Sequence, residues 1–425
     1  MQTKRSSAHL AMALLVAMVF VAVACGGDDD DATSTTTTLA PKAAASALGE
    51  PNKATGTPIK VGLISNGVGQ GFDQSNDGPV AEATANWINE YRGGIGGHPI
   101  TLVKCEDQND PSKAADCAND LIRQDVVAVV YSSNGIFEAS WRPLSEAGIP
   151  TFIQAVTGQD SVKEPTNTFT IQNGLASTVD GPIELAKKAK SKVFSVLSVD
   201  VPAATSNYTE GKGPQQIEDA GLELQLIAAP LGTPDLTTQT QQIVNKNPDG
   251  FLNILGNDAF CIAALNGLKA AGFTGSIAAN EQCITDNTLK AVGGDLIKGI
   301  RVITNVPLAD TEDPSTQLYT AILQKWAPDA DPIAGAFMFL AMTGLDAATN
   351  EIEDGTEVTA DAITKAAKSM PWTEQPGSGG RHMQCNGKAD PEQPAICQNG
   401  LLYGSLGEDA KPTTYQVVND EEPSS

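Results

Sequence analysis

Three polar side chains, Ser132, Ser133 and Asn134, follow closely after the apolar run Val126–Val130. A β-branched run of this kind is typical of a strand buried on both faces, and a helical pattern begins a few residues later. The polar residues are therefore expected where a strand ends and a helix begins. Unpaired backbone N–H groups at such a point favour an anion such as a carboxylate. Ser and Asn also cap helices for stability alone, so a ligand site and an ordinary helix cap both remain open.

Catalytic chemistry has little support in the sequence. No G-x-S-x-G elbow is present, and His98 lies in a glycine-rich turn. No CxxC motif accompanies the few histidines, so a thiolate or imidazole metal site is not expected. The sequence predicts no catalytic residue, no metal and no cofactor. A secreted hydrolase that uses a serine with His98 or His382 is kept as an alternative.

Strand and helix patterns alternate through most of the chain. From Ile59 onward, short apolar runs such as Ile59–Ile64 and Val193–Val199 alternate with helical segments, in two blocks on either side of Gly174. Repeated strand–helix units form parallel sheets through right-handed crossovers. Three long helices follow, and Ile333–Asn350 is apolar nearly all round, as expected of a buried helix. The predicted fold class is α/β with two similar lobes.

The first 24 residues have the pattern of an export signal. Lys4 and Arg5 precede the apolar segment Leu10–Ala24, about 15 residues long, which suits a signal peptide and is short for a membrane span. Small residues then lead to Cys25, which resembles a bacterial lipobox and predicts lipidation of Cys25. A plain secretory signal cleaved after Ala24 is the alternative. Residues 25–56 offer little that can pack, so they are expected to form a disordered tether on the extracytoplasmic side of the cell membrane.

Six of the seven cysteines fall into neighbouring pairs once Cys25 is set aside. An exported protein lies in an oxidising compartment, so each pair predicts a local disulfide. Closing loops of this size stabilises a fold by about 3 kcal/mol each in the chain-entropy model. The predicted pairs are Cys105–Cys117, Cys261–Cys283 and Cys385–Cys397.

The chain is strongly acidic, with a formal net charge of −24. This charge argues against nucleic-acid binding, which needs a basic patch, and against adhesion to an anionic membrane by charge. It suits a soluble exported protein. Membrane contact is therefore expected through the lipid anchor only.

Motifs in the first block resemble those of the type I periplasmic binding proteins, in the branch that binds Leu, Ile and Val. In Trp87–Ile100, Ile-Asn is followed by Gly-Gly-Ile, further glycines and an apolar strand start, which is similar to the end of that family's first helix. Asp110-Pro111 resembles the start of its second helix. The resemblance extends over about Ile59–Val418. It implies two Rossmann-like lobes joined by a hinge of three crossings, which close over a small ligand.

The resemblance also implies how the chain is divided. The first lobe would comprise residues 57–175 and 306–370, and the second lobe residues 176–305 and 371–418. The three crossings would lie near Asn173–Thr178, Thr304–Pro307 and Met370–Pro376. Residues 419–425 are expected to form a disordered tail.

Ligand contacts are implied by position. Ser132 and Ser133, with Asn134 beside them, match a hydroxyl pair that holds a ligand carboxylate. Ala155 to Thr157 match a loop whose backbone carbonyl and hydroxyl meet the ligand ammonium and carboxylate, and Glu281 matches an acidic residue that pairs with the ammonium. The other implied contacts are Phe72, Tyr208, Asn257 and Asp258. Phe72 and Tyr208 are alternatively packing residues, and Asp258 is alternatively a helix cap.

The implied function is that of an extracytoplasmic solute-binding lipoprotein without catalytic chemistry. It would capture a small polar ligand, an amino acid or a related amide or carboxylate, and deliver it to the permease of an ABC importer. A ligand-sensing receptor of the same fold, which docks on a signalling partner, is the alternative that the sequence leaves open.

Overall fold

Two β-sheets organise the computed structural model, which describes residues 38–69, 72–156, 160–174, 176–230 and 232–423. The predicted signal peptide, Cys25 and the first part of the tether lie outside these residues. Thr157 of the implied ligand site also lies outside them. All described residues belong to one compact unit.

The first block of the chain builds most of the first sheet. Its elements are α1 (Pro41–Leu48), β1 (Ile59–Ser65), β2 (Val68–Gly69), β3 (Phe72–Asp73), α2 (Asp77–Tyr91), β4 (Ile100–Glu106), α3 (Pro111–Arg123), β5 (Ala128–Ser133), α4 (Phe137–Glu146), β6 (Thr151–Ala155) and β7 (Thr168–Gln172). The second block builds most of the second sheet. Its elements are α5 (Gly181–Lys188), β8 (Val193–Val199), α6 (Pro202–Thr209), α7 (Gly213–Asp219), β9 (Glu223–Ala229), α8 (Thr237–Lys246), β10 (Phe251–Leu255), α9 (Asp258–Ala271), β11 (Ser276–Ala279), α10 (Asp286–Val292), α11 (Gly294–Ile297) and β12 (Arg301–Thr304).

A third block returns to both sheets. Its elements are α12 (Pro314–Trp326), α13 (Ala336–Thr349), α14 (Ala360–Ser369), β13 (Thr373–Glu374), β14 (His382–Met383), β15 (Ile396–Gln398), β16 (Leu401–Leu406) and β17 (Pro412–Val418). None of the helices in the described ranges is long and apolar enough to cross a membrane.

The first sheet has the strand order β15-β7-β6-β5-β1-β4, and every neighbouring pair is parallel. The second has the order β17-β16-β12-β11-β10-β8-β9, parallel from β9 to β12 and antiparallel through β16 and β17. Helices lie between successive strands, so the predicted α/β class is confirmed. Because parallel strands end at one edge, the residues that follow them are brought together there.

Helix α13 packs against the first sheet and is buried along nearly its whole length. The Phe339 ring stacks on Tyr319 of α12, with ring centroids 4.3 Å apart. A helix that is apolar all round needs cover on every side, and β5, β6, α2 and α14 provide it. The sequence-based prediction of a buried helix is confirmed.

The segment before β1 differs from the expected tether. Pro41 opens helix α1, Leu48 is buried, and the Trp87 indole N–H donates to the Leu48 carbonyl oxygen at 3.0 Å. Pro at the first helical position and the following alanines favour a helix, and Leu48 gives it an apolar anchor. A disordered tether through residue 56 is therefore wrong for residues 41–56, which pack on the first sheet's helices.

The chain leaves the first sheet later than expected. The sequence analysis gave residues 371–418 to the second lobe, but β15 pairs with β7, with Gln398 opposite Gln172. The crossing lies between β15 and β16, at Asn399–Gly400, instead of at Met370–Pro376. The apolar side chains of Met383, Cys385 and Ile396 are buried on this side, a signal too short to identify a strand from sequence.

All three predicted disulfides are present. Cys105–Cys117 joins β4 to α3, and Cys261–Cys283 joins α9 to the helical turn Glu281–Cys283. Cys385–Cys397 closes the loop between β14 and β15, which we call the disulfide loop (residues 385–397).

The C-terminal tail is held where disorder was expected. The Asp420 carboxylate accepts a hydrogen bond from the His382 backbone N–H at 2.9 Å, and its other oxygen lies 2.8 Å from His382 Nδ1. The expectation of a disordered tail is therefore wrong at Asp420.

Candidate ligand site at the strand ends

Polar residues collect at the carboxyl edge of the first sheet. Asn66 follows β1, Asp107 follows β4 and Asn134 follows β5, and each of them is buried. Asp77 opens α2 and reaches the same edge, as shown by its hydrogen bond to the β5 residue Ser132. Edges of this kind hold ligands in open parallel sheets, so the hydrogen bonds of each side chain decide which of them are free for a ligand.

The Ser132 side chain is hydrogen-bonded inside the lobe. Its hydroxyl donates to Asp77 Oδ2 at 2.5 Å, and the two residues are only 3% and 2% exposed. Burial raises the pKa of Asp77 to about 7, and the Ser132 hydrogen bond opposes this only in part. The expectation that Ser132 donates to a ligand carboxylate is therefore not met in this arrangement.

Both polar atoms of the Asn134 side chain also have hydrogen-bond partners within the lobe. Its Nδ2 donates to Asp107 Oδ2 at 2.7 Å, and its Oδ1 accepts from the Ile136 backbone N–H at 2.9 Å, which shapes the turn into α4. Burial raises the pKa of Asp107 as well. Asn134 thus acts here mainly by fixing the turn and holding Asp107.

Ser133 is half-buried and belongs to a chain of contacts that sequence analysis missed. Gln74 Nε2 donates to the Ser133 carbonyl oxygen at 2.9 Å and lies 3.4 Å from its Oγ, while Gln74 Oε1 accepts from the Asn66 backbone N–H at 2.7 Å. Asn66 is 7% exposed, and its side-chain Oδ1 is buried without a hydrogen-bond partner. Its position directly after a buried strand is the signal that could have identified Asn66.

Two further predicted contacts lie near this edge. Ala155 ends β6, is half-buried and lies opposite Ser133 in the parallel register. Phe72 begins β3, and its backbone pairs with Gly69 in the short β2–β3 ribbon.

Polar residues also follow strands of the second sheet. Asn257 follows β10, and its Oδ1 caps α9 by accepting from the Phe260 N–H at 3.1 Å. Asp258 accepts from the Ala259 N–H at 2.7 Å and from Asn287 Nδ2 at 3.4 Å, in keeping with the helix-cap alternative. Glu281 opens the helical turn after β11.

Tyr208 lies in the core of the second lobe. It is 2% exposed, its hydroxyl donates to the Thr178 carbonyl oxygen at 2.6 Å, and the hydroxyl accepts from Asn253 Nδ2 at 3.2 Å. The ring packs with Phe194 at a centroid distance of 6.2 Å. The packing alternative describes Tyr208 better than a ligand contact.

A family model described as periplasmic binding protein matches residues 58–395. The chain belongs to the periplasmic binding protein family. The family predicted from the sequence, in its type I form, is thereby confirmed. Membership makes the chain a ligand-binding protein of a family that works outside the cytoplasm and is generally not enzymatic. No curated protein matches the sequence significantly.

Solved structures agree on the fold. A substrate-binding protein of an ABC transporter from Sphaerobacter thermophilus is 17% identical with a TM-score of 0.65, over 86% of this chain and 99% of that one. A putative branched-chain amino acid ABC transporter protein from Rhodospirillum rubrum is 18% identical with a TM-score of 0.64, over 86% and 100%. The branched-chain amino acid binding protein LivJ from Streptococcus pneumoniae, in complex with isoleucine, is 16% identical with a TM-score of 0.60, over 85% and 99%. At these identities the likeness shows the fold.

Proposed function

We propose that the protein captures a small polar ligand, an amino acid or a related amide or carboxylate, between its two lobes and delivers it to the permease of an ABC importer. The observation that carries the proposal is the presence of two sheets, one parallel and one largely parallel, whose parallel strands are followed by polar residues: Asn66 and Ser133 on one, Asn257 and Glu281 on the other. Ligand-dependent closure of such a pair presents the loaded form to a partner.

The lobes have separate tasks in this proposal. Ser133, Ala155 and Thr157 from the first lobe, with Asn66 added by the geometry, form one wall. Glu281, with Asn257 beside it, forms the other wall and meets a cationic group of the ligand. Ser132 and Asn134 support the first wall from behind, and Phe72 is kept as a further proposed contact.

Attachment to the membrane is part of the proposal. Lipidation of Cys25 would anchor the chain on the extracytoplasmic surface, with the tether ending at α1 instead of at residue 56. Replacing Cys25 with Ser should move the protein from the membrane pellet to the soluble extracytoplasmic fraction. An unchanged membrane fraction would count against the anchor and leave the binding role untouched.

The hydrolase alternative gains no support from the histidines. His98 Nδ1 lies 2.7 Å from the Thr57 carbonyl oxygen, and His382 bonds Asp420 and stacks on Trp372. Neither histidine hydrogen-bonds a serine among the described residues. We expect no hydrolytic turnover. We also expect a His382→Gln variant to bind the ligand with the same affinity as the native chain.

A thermal-shift screen of the full chain tests binding. The compounds are amino acids, amides, amines, small carboxylates and sugars, added after refolding has removed any bound ligand. A ligand at 100 times its Kd should stabilise the fold by about 2.7 kcal/mol. Uptake of that ligand, measured in cells with and without the protein, then separates import from sensing. Binding without any effect on uptake would favour the sensor.

A further inference from the structure

We propose that Asn280 and the disulfide between α9 and the turn after β11 hold the ligand-binding wall of the second lobe in its binding position before a ligand arrives. They act through the position of Asn257 and Glu281, the residues that the proposed function places at the ligand. The inference therefore rests on that function and adds the groups that determine how often the second lobe is ready to bind.

The two proposed contacts of the second lobe lie on separate segments that follow neighbouring strands. Asn257 belongs to the loop after β10 (residues 256–257), which we call the β10 loop. Glu281 belongs to the turn after β11 (residues 280–283), which we call the β11 turn. Strands β10 and β11 are parallel neighbours, so both segments leave the sheet at the same edge. The strand register ends before these segments, so other contacts hold them together.

Asn280 makes one of these contacts with both polar atoms of its side chain. Its Oδ1 accepts from the Gly256 backbone N–H at 3.2 Å, and its Nδ2 donates to the Gly256 carbonyl oxygen at 3.0 Å. Gly256 is buried, and a Cβ atom there would lie only 2.5 Å from Phe260 Cδ1 of α9. The β10 loop is therefore held between α9 on one side and the Asn280 amide on the other.

The disulfide makes a second contact between the same parts of the lobe. Cys261 lies in the first turn of α9, directly after the β10 loop, and Cys283 is the last residue of the β11 turn. Both cysteines are fully buried. Thr288 Oγ1 of α10 also donates to the Cys283 carbonyl oxygen at 2.8 Å. The β11 turn is therefore joined to its neighbours by hydrogen bonds at its first residue and by a covalent bond at its last.

Segments that are already in place spare a ligand the cost of ordering them. A ligand binds only those molecules in which both segments are in the binding position, so its apparent Kd rises as the fraction of such molecules falls. The amide and the disulfide restrict the same β11 turn, so each keeps part of the order when the other is lost. Loss of both should therefore weaken binding by more than the two single losses multiplied.

Two asparagines give a matched test on the full chain. Asn89 makes the same pair of hydrogen bonds, with the Ile100 N–H at 2.7 Å and the Ile100 carbonyl oxygen at 2.9 Å, but at the amino end of β4. Asn280 and Asn89 are both half-buried. Replacing either with Ala removes two hydrogen bonds to the backbone, so the two variants should lower the melting temperature by similar amounts.

Titration calorimetry then measures affinity at a temperature at which each chain is folded by circular dichroism. The probe is whichever of leucine, glutamine, lysine, 4-methylpentanamide and 4-methylpentanoate binds the native chain most tightly. We expect Asn280→Ala to raise the Kd about fivefold and Asn89→Ala to change it by less than about twofold. Equal effects of the two variants on the Kd would overturn the inference, because Asn280 would then contribute only to stability.

Removing the disulfide tests whether both groups act through the β11 turn. In a chain with Cys261→Ala and Cys283→Ala, Asn280→Ala should raise the Kd by a factor at least about three times larger than in the native chain. Asn89→Ala should still stay within about twofold. A direct contact between Asn280 and the probe would give the same factor in both chains and would overturn the inference. If the disulfide-free chain does not fold, the comparison in the native chain decides.

Failure of the inference is distinguishable from failure of the proposed function. A native chain that binds one of the five compounds, and keeps its affinity in Asn280→Ala, overturns the inference alone. A native chain that binds none of them overturns both.

Discussion

Lys212 Nζ lies 2.8 Å from Asp390 Oδ1, and this ion pair connects two parts of the chain that belong to different sheets. Lys212 lies between α6 and α7, whereas Asp390 belongs to the disulfide loop, which leads into β15 of the first sheet. Glu392 adds a second contact at 2.9 Å. Asn399, at the last crossing, bonds both Ala389 of the loop and Asn173 at the first crossing. The loop therefore braces the crossings and links the lobes.

Removing the lysine should weaken this link. In Lys212→Gln, Asp390 loses its partner in a setting where its side chain is only 16% exposed, so we expect the free energy of unfolding to fall by about 1–2 kcal/mol. Lys246→Gln breaks an exposed pair with Glu223 within the second lobe and should change the same quantity by less than about 0.5 kcal/mol. Urea denaturation of the three proteins makes the comparison, and equal losses would contradict the bracing role.

The disulfide of the loop should act together with Lys212. Both Cys385–Cys397 and Cys105–Cys117 span 12 residues, so chain entropy alone predicts the same loss, about 3 kcal/mol, when either pair becomes serine. The Cys385→Ser, Cys397→Ser variant should lose more, since its loop also carries Asp390. In that background Lys212→Gln should have a smaller effect than in the native chain. If the losses in free energy of unfolding were strictly additive in the double-mutant cycle, the disulfide and the ion pair would act independently, which would contradict this prediction.

Asp77 should make stability depend on pH. Burial raises its pKa to about 7 in the folded chain, so the folded state holds a proton there that the unfolded state has released. The contribution of Asp77 is fully present below its unfolded pKa of about 4 and is lost as pH rises to 7, a change on the order of 4 kcal/mol. Asp77→Asn should remove this part of the pH dependence and be more stable than the native chain at pH 8. The free energy of unfolding of the two proteins is measured between pH 4 and 8. Curves that run parallel would contradict the prediction, because Asp77 would then not be the group that holds the proton.

Sequence analysis predicted the features of the fold that depend on local patterns. Alternating strand and helix runs predicted the two α/β blocks, and neighbouring cysteines predicted the disulfides, since both signals lie within short stretches of chain. The contacts that decide the site join distant residues: Gln74 reaches Ser133, and Asp77 reaches Ser132. No local pattern shows that Ser132 faces a buried acid instead of a ligand. Helix α1 and strand β15 were missed because packing partners elsewhere in the chain stabilise these short elements.

A calorimetric titration with one variant from each lobe tests the central claim, that a small ligand binds between the lobes. The ligand is the best compound from the thermal-shift screen, and the variants are Ser133→Ala and Glu281→Gln, with Glu223→Gln as an exposed second-lobe control. If both lobes hold the ligand, each of the first two variants should weaken binding by about tenfold, while the control stays within about twofold. A loss confined to one lobe, or no loss in either variant, would contradict the claim.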